Sequence, residues 1–259
     1  WNTCRTGYDT VEVCGIEDRA FFVRDLVFSG GNGDDTLVVD SSRTAVLGSG
    51  LIGRNITVSG GRGDDTIDLN RFTIDNRLQI RSGRGNDIIN LEEIRINGQA
   101  SISTSSGDDQ VNILSVSFNN RLDIITGSGN DNVNMSGSTV DATFSFNLGS
   151  GDDSLQILYP DPRYIVFRPI NPFRNGVSGN AGSGNDRISF QAPDFNNTFR
   201  MLMGTGDDSL NVHEFIDGVA FLDGGRGTDE IVFRGQVDEN GFGIRRFEEE
   251  DVDRNVGLL

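Results

Sequence analysis

Nine aspartates stand at equivalent places in the chain, each two residues after a glycine. They are Asp35, Asp65, Asp87, Asp109, Asp131, Asp153, Asp186, Asp208 and Asp229, behind Gly33, Gly63, Gly85, Gly107, Gly129, Gly151, Gly184, Gly206 and Gly227. The stretch SGGNGDDTLVV (29–39) shows the local setting. Carboxylates in a glycine-rich turn fit three roles. They can transfer protons, they can bind a hard cation together with main-chain carbonyls, or they can simply shape the turn. Proton transfer needs a unique site, and here the same group recurs nine times. The only histidine, His213 beside Glu214, has no Ser-His-Asp setting and no zinc-type partners, so it reads as structural. We therefore expect no enzyme.

The elements that position these aspartates follow from their spacing. The intervals are 30, 22, 22, 22, 22, 33, 22 and 21 residues, a period that signals a solenoid with two inserted loops. Two and four places after each aspartate stand apolar residues, from Leu37/Val39 to Ile231/Phe233, in all nine repeats. Nine and seven places before it stand pairs such as Ile56/Val58 and Leu122/Ile124. Seven and nine places after it stand Phe72/Ile74, Ile94/Ile96 and Val116/Phe118. Alternation of this kind predicts strands with one face inward. The expected fold is all-β, a right-handed parallel β-helix of about 22 residues and three short strands per coil. A corner column is expected at Asp75, Asn97, Asn119, Asp141 and Asn196, and an outward amide ladder at Asn90, Asn112, Asn134, Gln156 and Asn211.

Stacked coils lie about 4.8 Å apart, so the aspartates form a column. Two charges about 5 Å apart repel by about 3 kcal/mol at an effective dielectric of about 20. A bare column would rival the stability of an ordinary domain. Ca2+ takes six to eight oxygens from carboxylates and carbonyls, and a cation between successive corners removes the repulsion. Nine corners leave about eight such gaps, and +16 of calcium charge would meet a formal −17.

The corner stretches GGNGDDTLV (30–38) and GGRGDDTID (60–68) resemble the calcium-binding nonapeptide of repeats-in-toxin proteins, Gly-Gly-x-Gly-x-Asp-x-apolar-x. The other copies are SGRGNDIIN, TSSGDDQVN, TGSGNDNVN, LGSGDDSLQ, AGSGNDRIS, MGTGDDSLN and GGRGTDEIV. The resemblance implies that the nine aspartates ligate Ca2+, together with carbonyls near the nine glycines. The nonapeptides of that family run in tandem, whereas here about 13 unrelated residues follow each one. That departure implies a single calcium row in a wider coil, similar to calcium-bearing bacterial adhesin and ice-binding solenoids. Ranks of outward threonine, which an ice-binding face would show, are missing.

The remaining features set the context. The net charge of −17 disfavours nucleic acid and anionic membranes, and no apolar run is long enough for a membrane span. All 22 basic residues are arginine, for which we find no physical reason. The chain starts at Trp1, which leads us to expect a processed chain or a fragment. Cys4 and Cys14 are either two free thiols or a small disulfide loop that would point to an oxidising compartment. Residues 1–23 are expected to cap the solenoid, 24–235 to form it and 236–259 to close it, with loops near 42–54 and 158–176. The second loop (YPDPRYIVFRPINPFRNG, 159–176) is basic and aromatic, and reads either as a cover on the helix or as a surface for a saccharide, acidic polymer or protein. The expected role is extracellular, at a cell surface or in a matrix. The chain would be a structural or adhesive solenoid, with copies of itself end to end, other extracellular proteins or polysaccharide as partners. Polysaccharide binding or processing, lyase- or epimerase-like, is the alternative.

Overall fold

Residues 2–3, 10–14, 22–40, 52–158, 172–191, 195–213, 216–233 and 242–245 are described by the computed structural model. Among them every strand pairing is parallel and there is no helix. The chain is a parallel β-solenoid, and in its middle part residue n pairs with residue n + 22, as Val111 does with Val133. One sheet collects the short strands that follow each corner, such as Thr36–Asp40, Thr66–Asn70, Gln110–Leu114 and Ser154–Leu158, in a ten-stranded order. The other collects the strands that lead into the corners, such as Ile52–Arg62, Ala100–Ser106, Leu122–Ser128 and Phe144–Ser150.

The third face is slighter than the expected strand. It forms two-residue strands at Arg95–Ile96, Ser117–Phe118 and Thr139–Val140. The chain has just turned at Glu93 (φ 52°) and Ser115 (φ 55°), and it bends again at the next corner. Few residues remain in between for pairing. At that corner the expected column is present from Asp75 through Asn97 to Asn119. The Asn119 amide donates to Asn97 Oδ1 at 2.7 Å and the Asn97 amide to Asp75 Oδ1 at 3.2 Å.

The insertions leave the register intact. Ser154 pairs with Arg187 across 33 residues, as Thr36 pairs with Thr66 across 30. Ile52, assigned from sequence to the first loop, already begins a strand, and residues 41–51 lie outside the described set. Of the second loop, residues 159–171 lie outside it. Phe173 returns to the core, fully buried and stacked on Phe144 at 5.4 Å. At the N-terminus, Thr10–Cys14 pairs with Thr36–Asp40 and Asn2–Thr3 with Phe28–Ser29. Cys4, and with it the expected bridge, lies outside the described residues, as do residues 246–259. Phe242–Arg245 pairs with Ala220–Asp223.

The core is the inward face of the alternation. Leu37, Val39, Ile67, Leu69, Ile89, Leu91, Val111 and their equivalents through Ile231 are buried. Stripping water from such side chains stabilises by about 1.5–3 kcal/mol each, which is why the register is held so closely.

Candidate metal centre

The solenoid brings the nine sequence-identified aspartates into one row, and it places them inside. Each is at most 2% exposed. The alternation gives opposite answers on the two sides of the marker. The inward residues after it stand two and four places away, those before it nine, seven and five, and the glycine turn between resets the parity so that the aspartate shares the inward face of the strand that follows. From Asp65 onward each Oδ1 accepts a hydrogen bond from the main-chain N–H of the marker one coil earlier. Asp35 N–H donates to Asp65 at 2.8 Å, Asp65 to Asp87 at 2.8 Å, and so on to Asp208 and Asp229 at 3.1 Å. The residue just before each marker builds a second, exposed ladder of opposite polarity. Asp64 N–H donates to Asp34 Oδ1 at 2.9 Å, Asn86 N–H to Asp64 Oδ1 at 2.7 Å and Asp108 N–H to Asn86 Oδ1 at 2.8 Å.

The second oxygen of the buried carboxyls is different. Oδ2 of Asp65, Asp87, Asp109, Asp131, Asp153, Asp186 and Asp208 is sealed from solvent and has no hydrogen-bond partner. A lone buried acceptor of this kind costs several kcal/mol if charged. The pKa values register that cost. Burial, more than the neighbouring carboxylates, pushes Asp65, Asp153 and Asp208 up to about 7, and Asp131 to about 6. Asp87 is also raised by burial to about 6, with the nearby Ser82 hydroxyl and the Asp65 N–H pulling it back. Asp109 and Asp186 move upward for the same first reason.

The glycines of the corner have a steric role that is directly visible. Gly63 sits at φ 121°, and a Cβ there would strike the carbonyl of Gly33 one coil away. The same contact recurs from Gly85 against Gly63 down to Gly227 against Gly206, so these carbonyls face the next glycine along the stack. The carbonyl that meets Oδ2 belongs elsewhere. A Cβ on Gly60 would collide at once with Asp65 Oδ2 and the Ser82 carbonyl, and one on Gly30 with Asp35 Oδ2 and the Gly60 carbonyl. In those coils a carboxylate oxygen and a carbonyl oxygen of the next coil converge on a cradle that has no side chain.

That cradle is lined by the residue five places before the marker, which the pairing in the sequence did not include. The signal was present, because alternation inward at nine and seven places before continues to five. The column reads Gly30, Gly60, Ser82, Thr104, Thr126, Leu148, Ala181, Met203 and Gly224. Each hydroxyl donates to the carbonyl of its successor, Ser82 to Thr104 at 3.4 Å, Thr104 to Thr126 at 2.9 Å and Thr126 to Leu148 at 2.6 Å.

Among the described residues no three Asp, Glu, His or Cys side chains converge on one point. A cation at a corner would therefore take its carboxylate oxygen from the row and its other oxygens from main chain, hydroxyls or water. That donor set is all oxygen and suits a hard cation such as Ca2+. The orphaned Oδ2 atoms and the side-chain-free cradle fit such an ion. His213 contributes only a main-chain bond, its N–H donating to the Phe190 carbonyl at 3.0 Å. Among the described residues no helix is long and apolar enough to cross a membrane. Compared with protein-family models, curated proteins and solved structures, the chain matches none.

Proposed function

We propose that the chain is a calcium-stabilised solenoid of the extracellular space, serving as a structural or adhesive module. The observation that carries this reading is the row of buried carboxyl oxygens without partners, stacked coil upon coil from Asp65 to Asp208. Ca2+ would supply positive charge to that row, and the main-chain ladder through Oδ1 would hold each carboxylate in place to receive it. The resemblance to the repeats-in-toxin nonapeptide points the same way. Extracellular modules bind Ca2+ with dissociation constants of about 0.1–1 mM, which couples folding to export from a calcium-poor cell. Circular dichroism and melting in millimolar Ca2+ against chelator test it. Identical spectra and midpoints would remove the proposal.

A second reading, polysaccharide binding, rests on a groove of about 380 Å3 on the outer face of the post-corner sheet, lined by Asp68, Asn70, Asn90, Glu92, Asn112 and Leu114 among others. Amides and carboxylates on a flat strand face suit sugar hydroxyls. A glycan array, with a lyase assay on uronates, separates it from the first.

A further inference from the structure

The nine corners share one motif, yet the side chain facing the buried carboxylate changes along the stack. Beside Asp35 and Asp65 it is absent, at Gly30 and Gly60, and beside the last aspartate, Asp229, the residue is again glycine, Gly224. Beside Asp87, Asp109 and Asp131 it is a hydroxyl, from Ser82, Thr104 and Thr126, all fully buried. Beside Asp153, Asp186 and Asp208 it is hydrocarbon or thioether, from Leu148, Ala181 and Met203, equally buried. The pairing register makes these positions equivalent, since Ser105 pairs with Gly127, Gly127 with Gly149, Gly149 with Gly182 and Gly182 with Gly204, each one residue further along.

We propose that the identity of this inward residue decides which gaps between successive corners hold a cation, so that calcium fills the gaps that start at Asp35, Asp65, Asp87, Asp109 and Asp131 and is excluded from those that start at Asp153, Asp186 and Asp208; Asp229, beside Gly224, ends the row of nine and opens no further gap. The inference rests on the calcium reading given above and refines it. Ca2+ needs six to eight oxygens, from the protein or from water. In the glycine coil Oδ2 and the carbonyl of the next coil both close on the point where a Cβ would stand, with no side chain between them. In the hydroxyl coils the hydroxyl donates to the successor's carbonyl and lies beside the carboxylate, so an oxygen that could join a cation's shell stands at the site. In the last group a buried methyl, isobutyl or thioether side chain takes the place of that oxygen and of any water. The orphaned Oδ2 of Asp153, Asp186 and Asp208 is thus faced by apolar surface, a poor shell for a divalent ion.

The test counts bound Ca2+ per folded chain, by equilibrium dialysis with emission spectrometry and by native mass spectrometry. The wild-type chain should hold about five ions rather than the eight that the corner count allows. Two exchanges of the inward residue leave every aspartate in place. Thr104→Leu, a side chain already accommodated one corner type away at Leu148, should lose one ion. Met203→Thr should gain one, with circular dichroism confirming the fold in each. If Thr104→Leu fails to fold, the Met203→Thr gain decides alone. Eight ions in the wild type, or exchanges that leave the count unchanged, would overturn this inference while the calcium reading stood. No bound calcium in the wild type would overturn both.

Discussion

The corners before and after Asp131 are built on the same backbone and are stabilised differently. On the N-terminal side the inward neighbours of the carboxylates are two glycines and three hydroxyls, and the core around them is mainly aliphatic (Ile67, Leu69, Ile80, Ile89, Leu91 and Val111), with Phe28, Phe72 and Phe118 spaced among it. On the C-terminal side the neighbours are Leu148, Ala181 and Met203, with Gly224 only at the last corner, and the core carries a chain of aromatic contacts. Phe144 meets Phe146 and Phe173 at 5.4 Å, Phe146 meets Phe190 at 6.4 Å, and Phe190 meets Phe199 edge-on at 5.1 Å. Aromatic contacts of this kind add about 0.5–1.5 kcal/mol beyond the area they bury. The C-terminal half places hydrocarbon where the N-terminal half places oxygen. A repeat motif therefore states where a carboxylate will be, and the packing beside it states what that carboxylate can do.

Chelation is the largest lever on this difference. With free Ca2+ at ten times the dissociation constant, each filled site contributes about 1.4 kcal/mol, so about five sites give about 7 kcal/mol. Removing the metal should lower the melting midpoint by roughly 15–25 °C. Hydrogen exchange in chelator should show protection lost first in Thr66–Asn70, Ile88–Glu92 and Gln110–Leu114, with Ser154–Leu158 and Arg187–Gln191 protected longer. Uniform loss along the stack would erase the contrast.

Acid should restore part of what chelation takes away. The buried aspartates have folded-state pKa values above the ordinary 3.8, at about 6 to 7 for Asp65, Asp87, Asp131, Asp153 and Asp208. A raised value means that the fold prefers the neutral acid. That contribution is complete below about pH 4 and disappears as pH climbs through 6 to 7. In chelator the midpoint should rise as pH falls from 8 toward 5. With Ca2+ present the N-terminal corners should show the opposite trend, because the ion needs the carboxylate. Thermal melts across pH, with and without metal, check both signs.

Phe173→Ala sharpens the C-terminal side. The ring is fully buried against Phe144, and its loss should cost about 3–5 kcal/mol in denaturant melts, to nearly the same extent with calcium or chelator. The smallest effect concerns one turn. Ser105 holds φ 87° where the equivalent residues Gly61, Gly83 and Gly127 are glycine. Ser105→Gly should stabilise by about 1 kcal/mol, read from the same melts.

Much of this architecture was legible beforehand, for identifiable reasons. The corner aspartates and the pairs around them repeat at a fixed interval, and burying one face of a strand tolerates no slip of register. The same periodicity located the ladder that runs from Asn134 through Asn112 and Asn90 to Asp68, with hydrogen bonds of 3.4, 2.8 and 2.6 Å. The site was legible only in outline. A carboxylate column looked untenable without metal because the main-chain donors to Oδ1 were not visible in the string of residues. The lining column from Gly60 to Met203 was hidden by its diversity, since glycine, threonine, leucine and methionine share no apolar signature.

The sequence alone determined the period, the parallel stacking and the identity of the nine corner residues, because those follow from alternation and from glycine in a turn. Tertiary structure decided that the aspartates face inward, that one oxygen of each is held by the preceding coil, and that the other meets oxygen in some coils and hydrocarbon in others. Those outcomes depend on which atoms are brought together across coils 22 or more residues apart, and no local pattern in the chain encodes that contact.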